Sequence, residues 1–352
     1  MTPRLRLART GLPATQHGGH NALMTPLRLT RSLYSLAITL MAVLLLQPYA
    51  AAKDQTLRLA TWNLEWLIEP RELRQLAKTC LPRGRSAGSR ERWVPCNVAD
   101  ELERSAIDFR TLARYANQLD ADVIALQEVD GAAAARRVFR NHDFCFTSRS
   151  GVQNNGFAIR KGIPHRCGKD VEELSLGGRV RSGSVLILYP DEAHEIHLLS
   201  IHLKAGCPRR PLDDSRSDCA TLARQVPILK TWIDTQVAAD RRYAILGDFN
   251  HDFSTRGPAR NDAGELRNFW AEIASVDSAR NRLVNVTSDQ PFVNCSAGEN
   301  YSSYIDHVVL GERLARDRVT DSFIRITFDT RDALNRKLSD HCPVGVDIRL
   351  TH

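Results

Sequence analysis

The sequence is short of several things, and each absence excludes a class. No run reaches the roughly 18 uninterrupted apolar residues of a membrane span, so a multi-pass membrane protein is excluded. Gly and Pro number only 20 and 15 in 352 residues, too few for a fibrous chain. With 43% apolar and 25% charged residues, a disordered chain is excluded as well. None of the eight cysteines forms a Cys-x-x-Cys pair, which argues against a structural zinc site or a redox motif. There is no Ser-centred elbow and no Gly-rich phosphate loop. After Lys53 no low-complexity tract, Pro/Ser-rich linker or fixed-period repeat interrupts the chain.

The first 52 residues also lack any Asp or Glu, while holding Arg4, Arg6, Arg9, Arg28 and Arg31. Within them Met24 opens a second reading. Arg28 and Arg31 give a positive start, Leu33 to Leu46 an apolar stretch, and Ala50-Ala51-Ala52 small residues before Lys53. This is the pattern of a secretory signal peptide, with Met24 as the start and cleavage near Ala52. An uncleaved anchor is the competing reading. Residues 1–23 read as an upstream extension. Without those five arginines the 48 basic side chains fall to 43, against 41 acidic ones. The net charge of +7 therefore belongs mostly to the leader, and a global basic field for nucleic acid is not supported.

All eight cysteines follow the leader, and an even count behind an export signal points to disulfides in an oxidising compartment. Sequence neighbours suggest Cys80–Cys96, Cys145–Cys167 and Cys207–Cys219. Cys342, following a His at a strand, reads as a buried thiol. Residues 53–352 read as one domain. Strands are expected from Leu57, at Asp122–Leu126, Gly156–Ile159, Val185–Leu188, Ile196–Ser200, Tyr243–Leu246, Tyr304–Leu310 and Pro343–Ile348. Helical spacing appears at Leu112–Leu119 and Leu222–Ile233. Residues 80–100, rich in Gly, Arg and Ser, read as a stapled loop. The order is mixed α/β, not strict βαβ alternation.

The chemistry lies at the strand ends. Thr61-Trp62-Asn63 ends one, Gln127-Glu128 another, Ser200-Ile201-His202 a third and Gly247-Asp248-Phe249-Asn250 a fourth. Asp306-His307 lies inside the next, and Ser339-Asp340-His341 opens the last. Any one of these has an ordinary reading as a turn, cap or surface residue. Together, on strands lying side by side, they would share one cleft. Carboxylate and amide oxygens suit Mg²⁺, Mn²⁺ or Ca²⁺ better than zinc or copper. Histidines beside such a cation suit attack of water on a phosphate.

Trp-Asn-Leu, Gln-Glu-Val, His-Leu-Lys, Gly-Asp-Phe-Asn, Asp-His-Val-Val and Ser-Asp-His-Cys-Pro-Val, in that order, resemble the endonuclease/exonuclease/phosphatase family (the deoxyribonuclease I-like superfamily). The resemblance runs from about Leu57 to Ile348. It implies a four-layer α/β/β/α sandwich of two stacked mixed β-sheets flanked by helices. It implies Glu128 as the main metal ligand, with Asn63 and Asp340 near the same ion. It implies Asp248 and Asn250 as the pair orienting the nucleophile and binding the scissile phosphate. His341 becomes the base or electrostatic partner, held by Asp306, and His202 the second histidine. Lys204 and Arg181 are expected at phosphate. The nucleases of this family pair the second histidine with a Glu, whereas Asn154-Asn155-Gly156 offers only amides here, so Asn155 is the candidate to orient His202.

Three functions compete. The first is an exported, metal-dependent, nonspecific endonuclease acting on DNA or RNA as a monomer with no protein partner. The second is a phospholipid or sphingolipid phosphodiesterase, or a small phosphate-ester phosphatase, on the same scaffold. A lipid enzyme would want an apolar docking patch, for which Trp66, Trp93 and Phe292 are isolated candidates. The third is an exported binding module with a dead site, which the intact acidic and His positions argue against.

Overall fold

Alternating apolar residues from Leu57 onward build the central strand β1 (Gln55–Leu67). The computed structural model describes residues 55–80, 85–89, 92–254, 267–275, 282–296 and 301–350. The leader, with its signal-peptide reading, lies outside these residues. A short insert follows β1: helix α1 (Pro70–Ala77), a hairpin of β2 (Ser86–Gly88) and β3 (Trp93–Pro95), and helix α2 (Cys96–Glu101). Then come α3 (Ala106–Leu119), β4 (Val123–Val129), α4 (Gly131–Ala135), β5 (His142–Phe146) and β6 (Asn154–Arg160). Next are β7 (His165–Cys167), β8 (Ser184–Leu188), β9 (Ile196–His202), α5 (Ser217–Ala238) and β10 (Arg242–Asp248). The chain continues through α6 (Phe269–Ala274), β11 (Val284–Asn285), β12 (Asp306–Leu310), β13 (Ile324–Arg325) and β14 (Val344–Leu350).

Two six-stranded mixed sheets result. One has the order β13-β14-β1-β4-β6-β5, the other β11-β12-β10-β9-β8-β7. Alternation along each strand sends one set of side chains between the sheets and the other outward. Leu57, Leu59, Val123 and Phe157 of the first sheet meet Leu186, Leu198, Leu246 and Val308 of the second. Outward, Trp62, Ile124 and Leu126 pack on Phe109, Leu112 and Tyr115 of α3. On the other side Leu199, Ile201 and Ile245 pack on Leu222, Val226 and Leu229 of α5. This is the expected sandwich of two mixed sheets between helices. Each fully buried Leu, Ile or Phe stabilises it by roughly 1.5–3 kcal/mol. Helix α3 starts where Ser105 accepts from Asp108 N–H and Asp108 accepts in return from Ser105, a capping box.

Four disulfides are present, at Cys80–Cys96, Cys145–Cys167, Cys207–Cys219 and Cys295–Cys342. The first three match the sequence neighbours. The second joins β5 of one sheet to β7 of the other. Cys342 is not the buried thiol expected of it: the loop holding Cys295 returns to the start of β14 and bonds it across 47 residues. Sequence proximity could not reveal that pair, because the fold creates it.

Strand β12 begins at Asp306, two residues later than expected, so Asp306 stands at the strand's end and not inside it. The sequence pattern does not announce the short edge strands β5, β7, β11 and β13; with two to five residues each, they offer too little alternation to read. Among the described residues, no helix is long and apolar enough to cross a membrane.

Candidate active site

Strand register assembles the centre. Asp248, the last residue of β10, is paired with His202, the last of β9, on one side. On its other side it is paired with Asp306, the first residue of β12. Three side chains thus stand in one row at one edge of the second sheet. Gly247, one residue behind this row, is required because a Cβ there would strike the carbonyl of Ile201. In the first sheet Asn63 of β1 is in register with Gln127 of β4, which places Glu128 next along the edge.

Asn63 joins the two sheets. Its Nδ2 donates to Asp248 Oδ2 at 3.1 Å and reaches Glu128 Oε1 at 3.4 Å. Its Oδ1 accepts from Glu65 N–H at 3.0 Å. Asn250 N–H donates to Asp248 Oδ1 at 2.8 Å, and its Nδ2 donates to Asp248 Oδ2 at 3.1 Å and to Leu203 O at 3.2 Å. His341 Nδ1 lies 2.7 Å from Asp306 Oδ2. Its Nε2 faces Asp248 Oδ2 and Asp340 Oδ1, each at 3.9 Å. His202 Nε2 is 3.3 Å from Asp248 Oδ2, and its Nδ1, 3.8 Å from Glu128 Oε1, has no hydrogen-bond partner.

The backbone is bent to achieve this. Glu65, Trp66, Glu128 and Asn250 all have left-handed φ, of 44°, 50°, 60° and 52°. Each such residue costs of order 1–3 kcal/mol, and such costs gather at functional sites. Trp66 N–H donates to Glu128 Oε2 at 3.2 Å, and Gln153 Nε2 donates to the same oxygen at 2.6 Å. Buried Arg104 holds the bend from behind, donating to the carbonyls of Leu64 and Trp66 and to those of Lys337 and Leu338. It therefore ties the end of β1 to the loop that delivers Asp340 and His341.

The two histidines are driven apart electrostatically. Burial lowers the affinity of His341 for a proton, but Asp306, then Asp248 and Asp340, outweigh it and hold the ring well above its ordinary value. His202 is pushed well below its ordinary value by burial, with Arg181 and His341 adding to the shift. One ring is a cation near neutral pH and the other is neutral. Burial raises Asp248 to about 7, against the pull of His341. Burial, then repulsion by Asp340, raises Glu65 to about 7.

Seven expected residues thus come together: Asn63, Glu128, His202, Asp248, Asn250, Asp306 and His341. Asp340 stands at the rim, half exposed, beside Glu65 and His341. No hydrogen bond or ion pair joins Lys204 or Asn155 to the cluster. The Lys204 ammonium pairs with Asp218 at 2.8 Å, and Asn155 Nδ2 donates to Ser182 O at 2.8 Å instead of to His202. Arg181 donates to the carbonyls of His202 and Leu203 and to Gln153 Oε1, so its hydrogen-bond link to Glu128 runs through Gln153, while its charge acts on Glu128 and Asp248 directly. Sequence reasoning does not single out Glu65, Gln153 or Arg104. Glu65 is signalled only by its place two residues after Asn63; the other two give no local signal.

The donor set fits a hard divalent cation. Asp248, Asp306 and His341 also bring polar atoms within 4.8 Å of one another, but a protonated His341 offers no lone pair, so the carboxylates beside them are the fitting donors. Glu65, Glu128 and Asp340 are close enough to repel, and Asp306 Oδ1 is buried without a hydrogen-bond partner. Converging carboxylates with spare acceptor capacity are the oxygen environment that Mg²⁺, Mn²⁺ or Ca²⁺ takes.

Kinship with known proteins agrees with this geometry. The profile of the Endonuclease/Exonuclease/phosphatase family matches residues 60–341. The chain belongs to that family. Among solved structures it is similar to TDP2 from Caenorhabditis elegans, with a TM-score of 0.54 at 11% identity, covering 97% of this chain and 99% of that one. A D. rerio TDP2 humanized by 14 mutations gives 0.51 at 15% identity, covering 84% and 99%. Identities this low show a shared fold. No curated protein sequence matches the chain. The Endonuclease/Exonuclease/phosphatase match ends at His341, so it spans every residue of the cluster described above.

Proposed function

We propose that this chain is an exported phosphodiesterase dependent on a divalent metal, most simply Mg²⁺, and that it acts as a nonspecific endonuclease on DNA or RNA. In this reading residues 1–52 are a leader with a cleaved signal peptide, residues 53–352 are the catalytic domain, and the protein works as a monomer. The four disulfides are compatible with export. The observation that supports the chemistry most is the row His202–Asp248–Asp306 closed by His341, which places a carboxylate between a neutral and a charged imidazole.

Glu128, Asn63 and Asp340 would hold the metal, and Glu65 joins them. A cation held there would supply positive charge to the phosphoryl and leaving oxygens. The chain's own residues do the rest. Asn63 and Asn250 fix the carboxylate of Asp248 by hydrogen bonds to Oδ2. Asp248, with its proton affinity raised to about 7, suits removal of a proton from the attacking water. His341, held as a cation by Asp306, has no free lone pair at Nε2, so it acts as donor and electrostatic partner, not as base. His202, neutral and buried, is a hydrogen-bond donor toward a phosphate oxygen.

The test is hydrolysis of a single-stranded oligonucleotide by the purified, oxidised protein with added Mg²⁺. Cleavage that disappears with EDTA supports the reading. Undiminished cleavage in EDTA removes the metal, and absence of cleavage by a folded, metal-binding protein removes the nuclease.

A further inference from the structure

Beside His341 stands an arginine for which the mechanism above has no use. Arg325 is on the edge strand β13, in register with Val344 at the start of β14, so it sits next to the Asp340-His341-Cys342 segment. Its guanidinium carbon lies 5.1 Å from the ring centre of Phe292 and 4.9 Å from that of Tyr304. Those two rings meet edge to face at 5.1 Å. The guanidinium also approaches the Tyr304 hydroxyl, but Nε is buried and has no hydrogen-bond partner. Among the described residues Arg325 forms no ion pair. The site's other arginines are committed: Arg104 and Arg181 to carbonyls, Arg209 to Asp252 at 2.7 Å. Arg325 is held between aromatic faces, which orient a guanidinium; with Nε buried, its terminal amino groups are the ones left to meet a ligand.

The cavity beside it is lined by Asp306, Asp340 and His341 as well as by Phe292 and Tyr304. The same two rings form the wall of a second cavity of about 740 Å³, which runs on past Trp270 and Asn285. Arg325 and His341 thus line one small opening of about 30 Å³, whose Phe292–Tyr304 wall is shared with the larger cavity. We propose that Arg325 binds the phosphate neighbouring the scissile one in a nucleic-acid strand, with Phe292 and Tyr304 as its aromatic support. Arginine forks match phosphate oxygens, and a strand places its next phosphate one nucleotide along, whereas a simple diester has none. This rests on the nuclease reading and makes it more specific, to substrates with consecutive phosphates.

The experiment compares wild type, Arg325→Met and Arg325→Lys in the full chain, on bis(p-nitrophenyl) phosphate and on a single-stranded thymidine hexamer. Met keeps the packing against the rings and removes the charge. Arg325→Met should raise KM for the hexamer about 10-fold or more with little change in kcat, as expected when a charged hydrogen bond to substrate is removed. It should leave hydrolysis of bis(p-nitrophenyl) phosphate within about 2-fold, and Lys should restore part of the hexamer KM. The slope of log KM against log salt should fall in magnitude by about 0.7, the change expected when one fewer phosphate of a single strand is neutralised. An unchanged hexamer KM overturns the proposal, as does an equal loss on both substrates. Wild type that hydrolyses only the simple diester overturns the nuclease reading instead, and the proposal with it.

Discussion

Nδ1 of His341 lies 2.7 Å from Oδ2 of Asp306, two residues 35 apart in sequence. That pairing decides the character of the centre. With Asp306 beside it, His341 is a cation near neutral pH, and in the proposed mechanism the proton-accepting role passes to Asp248.

The pair has a pH signature. A histidine that must be charged supports activity below its folded pKa and loses it as pH rises through that value. Asp306→Asn removes the charge that raises His341, so the alkaline limb of the pH–rate profile should move to lower pH, and kcat at neutral pH should fall about 10²-fold. An alkaline limb that stays in place in the variant would free His341 from Asp306.

Glu128 and Glu65 should both report on the metal. Replacing either by Gln keeps shape and removes one negative charge. Each variant should need at least about 10-fold more Mg²⁺ for half-maximal activity, with the fold intact by circular dichroism. A Glu65→Gln variant with an unaltered Mg²⁺ titration would return that residue to a structural role.

The Cys295–Cys342 bond fixes the residue after His341 to a loop 47 residues away. Changing both cysteines to Ser should cost about 2–4 kcal/mol in chemical denaturation, since a long loop is released in the unfolded chain. It should also lower activity, because His341 loses its anchored neighbour. Equal denaturation midpoints before and after would contradict the first expectation.

His307 offers a test of stability remote from turnover. It is fully buried, shares a hydrogen bond with Thr287 Oγ1 at 2.5 Å, and lies 2.9 Å from the carbonyl of His251. Burial lowers it to about 4. The unfolded chain binds a proton near pH ~6.5 and the folded chain does not, so stability falls as pH drops from there toward 4, by about 3 kcal/mol in all. Urea midpoints across that range should show the slope in wild type and lose it in His307→Asn. Identical slopes would show that His307 titrates freely.

How much of this was legible in the sequence follows from what holds each part in place. The sandwich was legible because Val123–Leu126 and Tyr243–Leu246 are unbroken apolar runs, sharply bounded, within strands of seven residues. The centre was legible because strand ends converge when strands pair, which brings Asn63, Glu128, His202 and Asp248 together whatever the loops do. Lys204 and Asn155 lie near those ends in sequence, and proximity alone does not aim a side chain. Theirs answer to local partners, Asp218 and Ser182, that no strand pattern announces. Arg104 and Arg325 were invisible for the opposite reason. Each acts across a distance in sequence, on Leu338 and on Phe292, that only the fold closes.

Whether Asp248 takes the proton of the attacking water is decided by nicking of supercoiled plasmid, with wild type and Asp248→Asn both oxidised and in Mg²⁺. Asparagine preserves the hydrogen bond from the Asn250 backbone but cannot take a proton. Wild type should nick the plasmid and EDTA should abolish it, while the variant, its fold checked by circular dichroism, should be slower by about 10²-fold or more. A variant that nicks the plasmid at the wild-type rate would contradict the role of Asp248 as base.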